Sequence, residues 1–245
     1  MSTYADFAYV YDDLMGDLPY EAWVDMYEDI WQRYDRRPKL LLDAGCGTGT
    51  VACMLAKSGM EVIGCDPSED MLGIANEKAA ELGIRPLFLC QSMENLDLYG
   101  TVDGVISSLD CINYLPDRET LAASLARISL FMEPGALLIF DVNTEGKLRG
   151  LDGQTIVKET EDIFCVWQND YLADERKCRF LIDMFVADET GWQRMQEEQY
   201  ETAFTDAELR MAIEAAGLQL LEVAAPTEKM PETGADRCFY IAEKK

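Results

Sequence analysis

Lys39 to Thr50 read KLLLDAGCGTGT, and the rest of the chain is placed by its distance from that run. Leu40 to Ala44 has the length and apolar continuity of a buried parallel strand, and Gly45, Gly47 and Gly49 at alternate positions force a tight turn. A helix over roughly Thr48 to Ser58 should follow, its unpaired N–H groups aimed at the space above the turn, where glycine lets a ligand approach the backbone closely. Strand, glycine turn and helix in that order make a cofactor crevice. The dinucleotide fingerprint G-x-G-x-x-G needs a glycine at position 50; Thr50 stands there, and the third glycine is Gly49, so the spacing is GxGxG. Asp43 adds a carboxylate that would repel a pyrophosphate and suit an amino group or a sulfonium.

The 245 residues suit one large domain with an insertion, and 49% hydrophobic content is ordinary for a packed globular chain. No apolar run approaches the ~18 residues of a membrane span, and the polar start MSTYADFAYVYDD lacks the basic and apolar regions of a signal peptide, so a cytoplasmic protein is expected. Eight cysteines include no C-x-x-C pair and several fall in predicted strands, which reads as reduced apolar filler; no metal is expected. With 21 basic and 46 acidic residues the formal charge is −25. Such a field disfavours nucleic acid and favours a neutral or cationic small-molecule partner, although a basic protein partner is compatible with it. There is no histidine, so acid–base work falls to Asp, Glu, Tyr or Cys.

Tyr4 to Tyr34 is aromatic and acidic, with helices predicted over Ala5 to Leu14 and Tyr20 to Arg33; most of its rings should be packing. Strands are expected at Glu61 to Cys65, Arg85 to Gln91, Val102 to Ser108 and Ala136 to Val142, alternating with helices capped at Ser68 and near Pro116. Asp66, at the end of the second strand, can accept from both ribose hydroxyls of an adenosine cofactor. From Asn143 to Thr202 the period changes to two: Thr155 to Glu159, Ile163 to Leu172, Arg176 to Val186 and Trp192 to Tyr200 read as an antiparallel sheet, with turns at 173–175 and 189–191. Its alternative to covering the ligand end of the parallel strands is a dimerisation patch, which leaves a homodimer open. Thr205 and Glu208 then form a capping box for a helix to Ala216, and Leu218 to Ala224 and Arg237 to Glu243 close the chain as two antiparallel strands.

The glycine turn with Asp43, the acid at Asp66, and Glu133-Pro134-Gly135 before an apolar strand ending in Asp141 together resemble class I S-adenosylmethionine-dependent methyltransferases over nearly the whole length. That resemblance implies an α/β fold: a doubly wound, seven-stranded Rossmann-like sheet with an N-terminal helical lid (1–36) and the antiparallel insert (145–202), the cofactor domain being 1–144 and 203–245. It implies S-adenosyl-L-methionine as cofactor, held by Asp43, Gly45, Cys46, Gly47, Gly49, Asp66, Pro67, Met71, Ser92, Met93, Leu109 and Tyr20. Met71 would pack on adenine, or simply between helix and sheet, and Met93 would meet a ring nitrogen through its N–H. Ser92 departs from the family, where an Asp is common. The run FAYVYDDLMGDLPYEAW further resembles small-molecule N-methyltransferases of amino sugars and their bacterial relatives, which would bring Tyr11 and Tyr20 to the methionyl carboxylate or the acceptor. Asp110, Asn113 and Tyr114 would face the methyl group, turn chemistry being their other reading; Asp110, Tyr114 and Tyr11 are the candidate catalytic residues. The expected reaction is in-line methyl transfer to a small polar acceptor, an amine first.

Two other readings compete. Ser92 at an adenine position would suit a non-catalytic binding module. A tRNA- or ribosome-related substrate is the weaker alternative, since the chain has no N/D-P-P-Y/F tetrapeptide and no Pro-Cys nucleophile of base methylation.

Overall fold

The computed structural model describes residues 5–189, 191–231 and 233–245; Tyr4 and Thr190, which the sequence places among the lid aromatics and in a turn, lie outside them. Helices α1 (Ala5–Leu14) and α2 (Tyr20–Tyr34) precede the alternating core: β1 (Leu40–Ala44), α3 (Thr50–Lys57), β2 (Glu61–Asp66), α4 (Glu69–Glu81), β3 (Leu87–Cys90), β4 (Val102–Ser107), α5 (Arg118–Leu130) and β5 (Met132–Asn143). After β5 come α6 (Glu145–Gly150), β6 (Thr155–Glu159), β7 (Ile163–Leu172), β8 (Lys177–Asp188) and β9 (Gly191–Thr202), then α7 (Asp206–Ala215), β10 (Leu218–Ala224) and β11 (Arg237–Lys244).

The main sheet runs β10-β11-β5-β4-β1-β2-β3, with β11 antiparallel to both neighbours and the pairs between β3 and β5 parallel. The chain winds outward from β1 to β3 and returns to β4 on the other side of β1, so a crevice opens at the carboxyl ends of β1 and β4. Alternation along the strands divides the core. Leu41, Ile106, Ile139 and Ile241 pack with α2 and α3, whereas Leu42, Val105, Leu138 and Ala242 pack with α5 and α7. Local chemistry fixes the helix starts. The Ser68 hydroxyl accepts from Met71 N at 3.2 Å, and Thr205 and Glu208 form the reciprocal capping box at 3.2 and 2.8 Å.

The insert is one antiparallel sheet, β6-β7-β8-β9, and buries Cys165, Phe180 and Ile182 against Ala8, Val10 and Leu14 of α1. Three details differ from the sequence reading. Trp23, Tyr27 and Trp31 of α2 are fully buried on the sheet, so the body of α2 belongs to the helix layer, and α1 with Tyr20 at the start of α2 lies over the crevice. Helix α6 was hidden by Gly146 and Gly150, poor helix formers, but its Thr144 cap accepts from Lys147 N at 3.1 Å. Strand β5 begins at Met132, before the Pro-Gly pair, because a register shift opposite Val102 to Gly104 absorbs the extra residues. Among the described residues, no helix is long and apolar enough to cross a membrane.

Candidate active site

A cavity of about 1020 Å³ lies between the carboxyl ends of β1, β2 and β4 and the inner face of the insert. Its floor is the glycine turn. Gly45, Gly47 and Gly49 have φ of 79°, 53° and 72°, a region that side chains disfavour. A Cβ on Gly45 would come within 2.8 Å of Cys111 Sγ, and one on Gly49 within 2.8 Å of Ala75 Cβ; at Gly47 it would meet no protein atom within 4 Å. Protein packing therefore demands the outer glycines, while the middle one leaves room against the cavity.

Two carboxylates face each other across this turn. Asp66 Oδ2 accepts from Gly47 N at 3.0 Å and Oδ1 from Ser68 N at 2.9 Å, which fixes the group and leaves one lone pair on each oxygen. Burial raises its pKa, and those two backbone donors oppose the rise. Asp43 is 1% exposed and its Oδ1 has no hydrogen-bond partner. Burial, then the charge of Asp66, push its carboxyl up to about 7. A buried orphan carboxylate oxygen in a cavity calls for a donor or a cation, which is what the ammonium and sulfonium of S-adenosylmethionine provide.

Around this floor, Cys46, Pro67, Met71, Ser92, Met93 and Leu109 all line the cavity. Ser92 Oγ accepts from Asn95 Nδ2 at 3.0 Å at the start of a short 3₁₀ turn (Met93–Asn95). Leu109 and Asp110 both take positive φ, 60° and 55°, and their N–H groups donate to the two oxygens of buried Asp141 at 2.8 and 2.9 Å. That pair of bonds over-determines a strained turn at the end of β4. Asp110 Oδ1 accepts from Arg237 at 2.7 Å, and Arg237 also binds Asp141 and lies over the ring of Trp23. Arg237 is thus an internal counter-ion, and Asp110 is held rather than mobile.

Tyr11 and Tyr20 reach the cavity from the N-terminal segment. Burial raises the Tyr11 phenol well above its ordinary value, and burial with the Asp12 carboxylate takes Tyr20 up to about 12. Both stay protonated near neutrality, so each can donate a hydrogen bond but neither supplies a phenolate base. Tyr114 lines the cavity and donates to Gln199 Oε1 at 3.3 Å. Asn113 does not serve the acceptor. Its amide is fully buried, donating to Asn143 O and Thr202 O at 3.1 and 3.0 Å and accepting from Asn143 N at 2.9 Å, so it stitches β5 to β9.

Three features went unseen in the sequence. Glu201, 4% exposed on β9, lines the cavity and accepts from Asn143 Nδ2 at 2.7 Å; burial, then the charge of Asp110, push it up to about 8. The run E-E-Q-Y-E-T carries polar residues on the face that β8 fills with Cys178 and Phe180, and an inward carboxylate was the available signal. Asp12 ties α1 to the floor, accepting from Thr48 Oγ1 at 2.7 Å and pairing with Lys78 at 2.8 Å, while Lys78 also donates to Thr50 Oγ1 at 2.6 Å. Asn169 on β7 is the third. Among the described residues no group of three His, Cys, Asp or Glu is arranged to hold a metal.

The family pattern described as a methyltransferase domain matches residues 41–135. A Geobacillus sp. (strain WCH70) protein designated "Putative methyltransferase" is 32% identical over 99% of this chain and 100% of its own. The crystal structure of an S-adenosylmethionine-dependent methyltransferase from Clostridium acetobutylicum superposes with a TM-score of 0.86, at 26% identity and 98% coverage of each chain. The chain belongs to the class I S-adenosylmethionine-dependent methyltransferases. The sugar N-methyltransferase KedS8 from Streptoalloteichus shares the fold of this methyltransferase, with a TM-score of 0.81 at 20% identity over 98% of this chain and 92% of its own. S-adenosyl-L-methionine is the cofactor, and the glycine cradle with the orphaned Asp43 oxygen fits it.

Proposed function

We propose that this methyltransferase acts on a small polar amine, which it holds between Asp110 and Glu201 under the insert. The observation that carries this reading is that two carboxyl groups, Glu201 of β9 and Asp110 of the β4 turn, border the same cavity together with Lys147, Lys158, Lys177 and Arg237, in a chain of charge −25 with no histidine. KedS8, a sugar N-methyltransferase by name, lends support from the same fold. Glu201, once ionised, can pair with an ammonium there and then accept its proton.

S-adenosylmethionine supplies a methyl group on a sulfonium whose departure leaves a neutral thioether. The chain's part is alignment and proton handling, and alignment alone can provide effective molarities of ~10⁵ or more. On this reading Asp66 takes the ribose hydroxyls with its two remaining lone pairs, flanked by Pro67. Met71, Ser92 and Met93 border adenine. Asp43, Cys46 and the Gly45 to Gly49 turn hold the methionyl end, with Leu109 and Tyr20 closing over it. Tyr11 and Tyr114 orient the acceptor as hydrogen-bond donors, Asp110 supplies a charge fixed by Arg237, and Glu201 receives the proton that the acceptor nitrogen gives up. Helix α1 and the insert keep water out. Eight cysteines without a disulfide suit a cytoplasmic setting.

The test is methyl transfer from labelled S-adenosylmethionine to a defined mixture of primary and secondary amines, alcohols and carboxylic acids. Label recovered in amines, and lost in Glu201→Gln with cofactor affinity unchanged, supports the proposal. Label found only in ethers or esters overturns it.

A further inference from the structure

The inner face of the insert carries a polar group that neither the fold nor the cofactor uses. Asn169 is 2% exposed and lines the cavity, yet neither its Oδ1 nor its Nδ2 has a hydrogen-bond partner. Its backbone is fully engaged, the N–H donating to Gln154 O at 3.0 Å and the carbonyl accepting from Gly153 N at 2.9 Å. The side chain is therefore the whole of the discrepancy. Buried amides are nearly always paired, and one left with both ends unmade beside a cavity marks a place where a ligand completes it.

The register shows what kind of ligand. Asn169 pairs with Phe180, and Phe180 with Gln199, so these three form one row across β7, β8 and β9; Glu201 stands one inward position further along β9. Strands two apart lie roughly 10 Å from each other, and side chains from both converge over the strand between them. That middle ground is aromatic. Phe180 meets Trp167 edge-on at 6.5 Å between ring centroids, and both line the cavity. Gln199 is already occupied, accepting from Tyr114 and donating to Glu197 at 3.2 Å. The row thus presents an apolar platform with a carboxylate at one side and an unused amide at the other.

We propose that this face is the acceptor's specificity subsite, with Asn169 reading a hydroxyl set across a ring from the reacting amine. An amide offers one acceptor and one paired donor group, and a hydroxyl, which both donates and accepts, is its small complement. The ring lies on Phe180 and Trp167, and the amine turns toward Glu201 and Asp110. This inference rests on the amine reading above and extends it to a class: a cyclic amino alcohol. An acceptor lacking the hydroxyl leaves the amide unmade and is disfavoured for that reason.

Two probes test it by calorimetry on protein saturated with S-adenosylhomocysteine: trans-4-aminocyclohexanol, and cyclohexylamine, which differs by the hydroxyl alone. The wild type should bind the amino alcohol at least tenfold more tightly. Asn169→Leu should reduce that preference to within twofold while leaving the affinities for cyclohexylamine and S-adenosylhomocysteine unchanged. It should also raise Tm in the unliganded protein, since it replaces an unsatisfied amide by an apolar group of similar size, whereas a structural amide would give a lower Tm. No preference in the wild type, a preference that survives Asn169→Leu, a lowered Tm, or binding of neither probe overturns the proposal. Discrimination without methyl transfer to either bound probe would remove the amine reading and leave the subsite standing. Transfer to both without discrimination would do the reverse.

Discussion

The two halves of the cavity are built on different principles. On the proposed cofactor side the groups that matter are backbone atoms of the glycine turn, the Asp66 carboxylate pinned by two backbone N–H groups and the buried Asp43, all at or just after the ends of β1 and β2. On the proposed acceptor side they are side chains from elements far apart in sequence: Tyr11 on α1, Asp110 after β4, Asn169 on β7, Glu201 on β9 and Arg237 on β11. A backbone cradle changes little when surface residues change, whereas a side-chain wall can be altered one residue at a time. One fold can then keep one cofactor and take many acceptors.

The comparison breaks most sharply at the floor. Gly47→Val puts a branched side chain at φ 53°, where its Cβ enters the cavity, and Asp66→Ala removes the carboxylate that anchors Gly47 N. Loss of two hydrogen bonds to a charged group costs about 3 kcal/mol or more, so S-adenosylhomocysteine affinity should fall at least roughly a hundredfold in Asp66→Ala. Calorimetry checks this; affinity within threefold of wild type would mean that Asp66 is not the ribose acid. Glu201→Gln is the mirror experiment. Methyl transfer should fall about a hundredfold, with the acid-side limb near pH 8, below which Glu201 is protonated and cannot take a proton, lost from the kcat/KM profile and cofactor affinity intact.

This division also explains what was legible. The glycine turn, Asp66 at the end of the second strand and the four strands of the insert follow from local patterns in which neighbours in sequence are neighbours in space. Asp43 could be seen as a carboxylate in the turn, but not that burial would leave one oxygen orphaned. Asn169 was invisible because its place depends on the pairing of three strands, and Glu201, though inward on β9, reads alone as one more polar residue on a strand. Asn113 misled for the same reason: next to Asp110 and Tyr114 it resembles a site residue, yet it pairs with β5 and β9.

A smaller effect concerns pH. Glu201 and Asp43 have native pKa values near 8 and 7, above the usual carboxylate range, so the folded state holds protons that the unfolded chain has released. Their stabilising contribution is present below about pH 4 and is lost as pH rises through those native values. Each group contributes a slope of up to about 1.4 kcal/mol per pH unit. Urea midpoints of the unliganded protein should therefore decline between pH 5 and pH 8 on account of these groups, and Glu201→Gln should flatten part of that decline. An unchanged slope in Glu201→Gln would show that the carboxyl ionises freely, and would take the proton-accepting role with it.

The smallest effect lies where the two halves meet. Asp12 on α1 joins Thr48 in the floor and Lys78 on α4, so the segment that carries Tyr11 to the cavity is tied to the glycine turn. The ion pair is partly exposed, 23% at Lys78 and 37% at Asp12, which limits it to about 1 kcal/mol or less. Lys78→Met should accordingly weaken S-adenosylhomocysteine by no more than about fivefold. It should raise KM for the acceptor by a similar factor and leave kcat nearly unchanged, since the tie positions α1 without touching the reacting atoms. Amide exchange in α1 should quicken in the same variant. Unaltered exchange would show that the Lys78 ion pair does not hold α1, which would then rest on the Asp12–Thr48 bond and its apolar contacts.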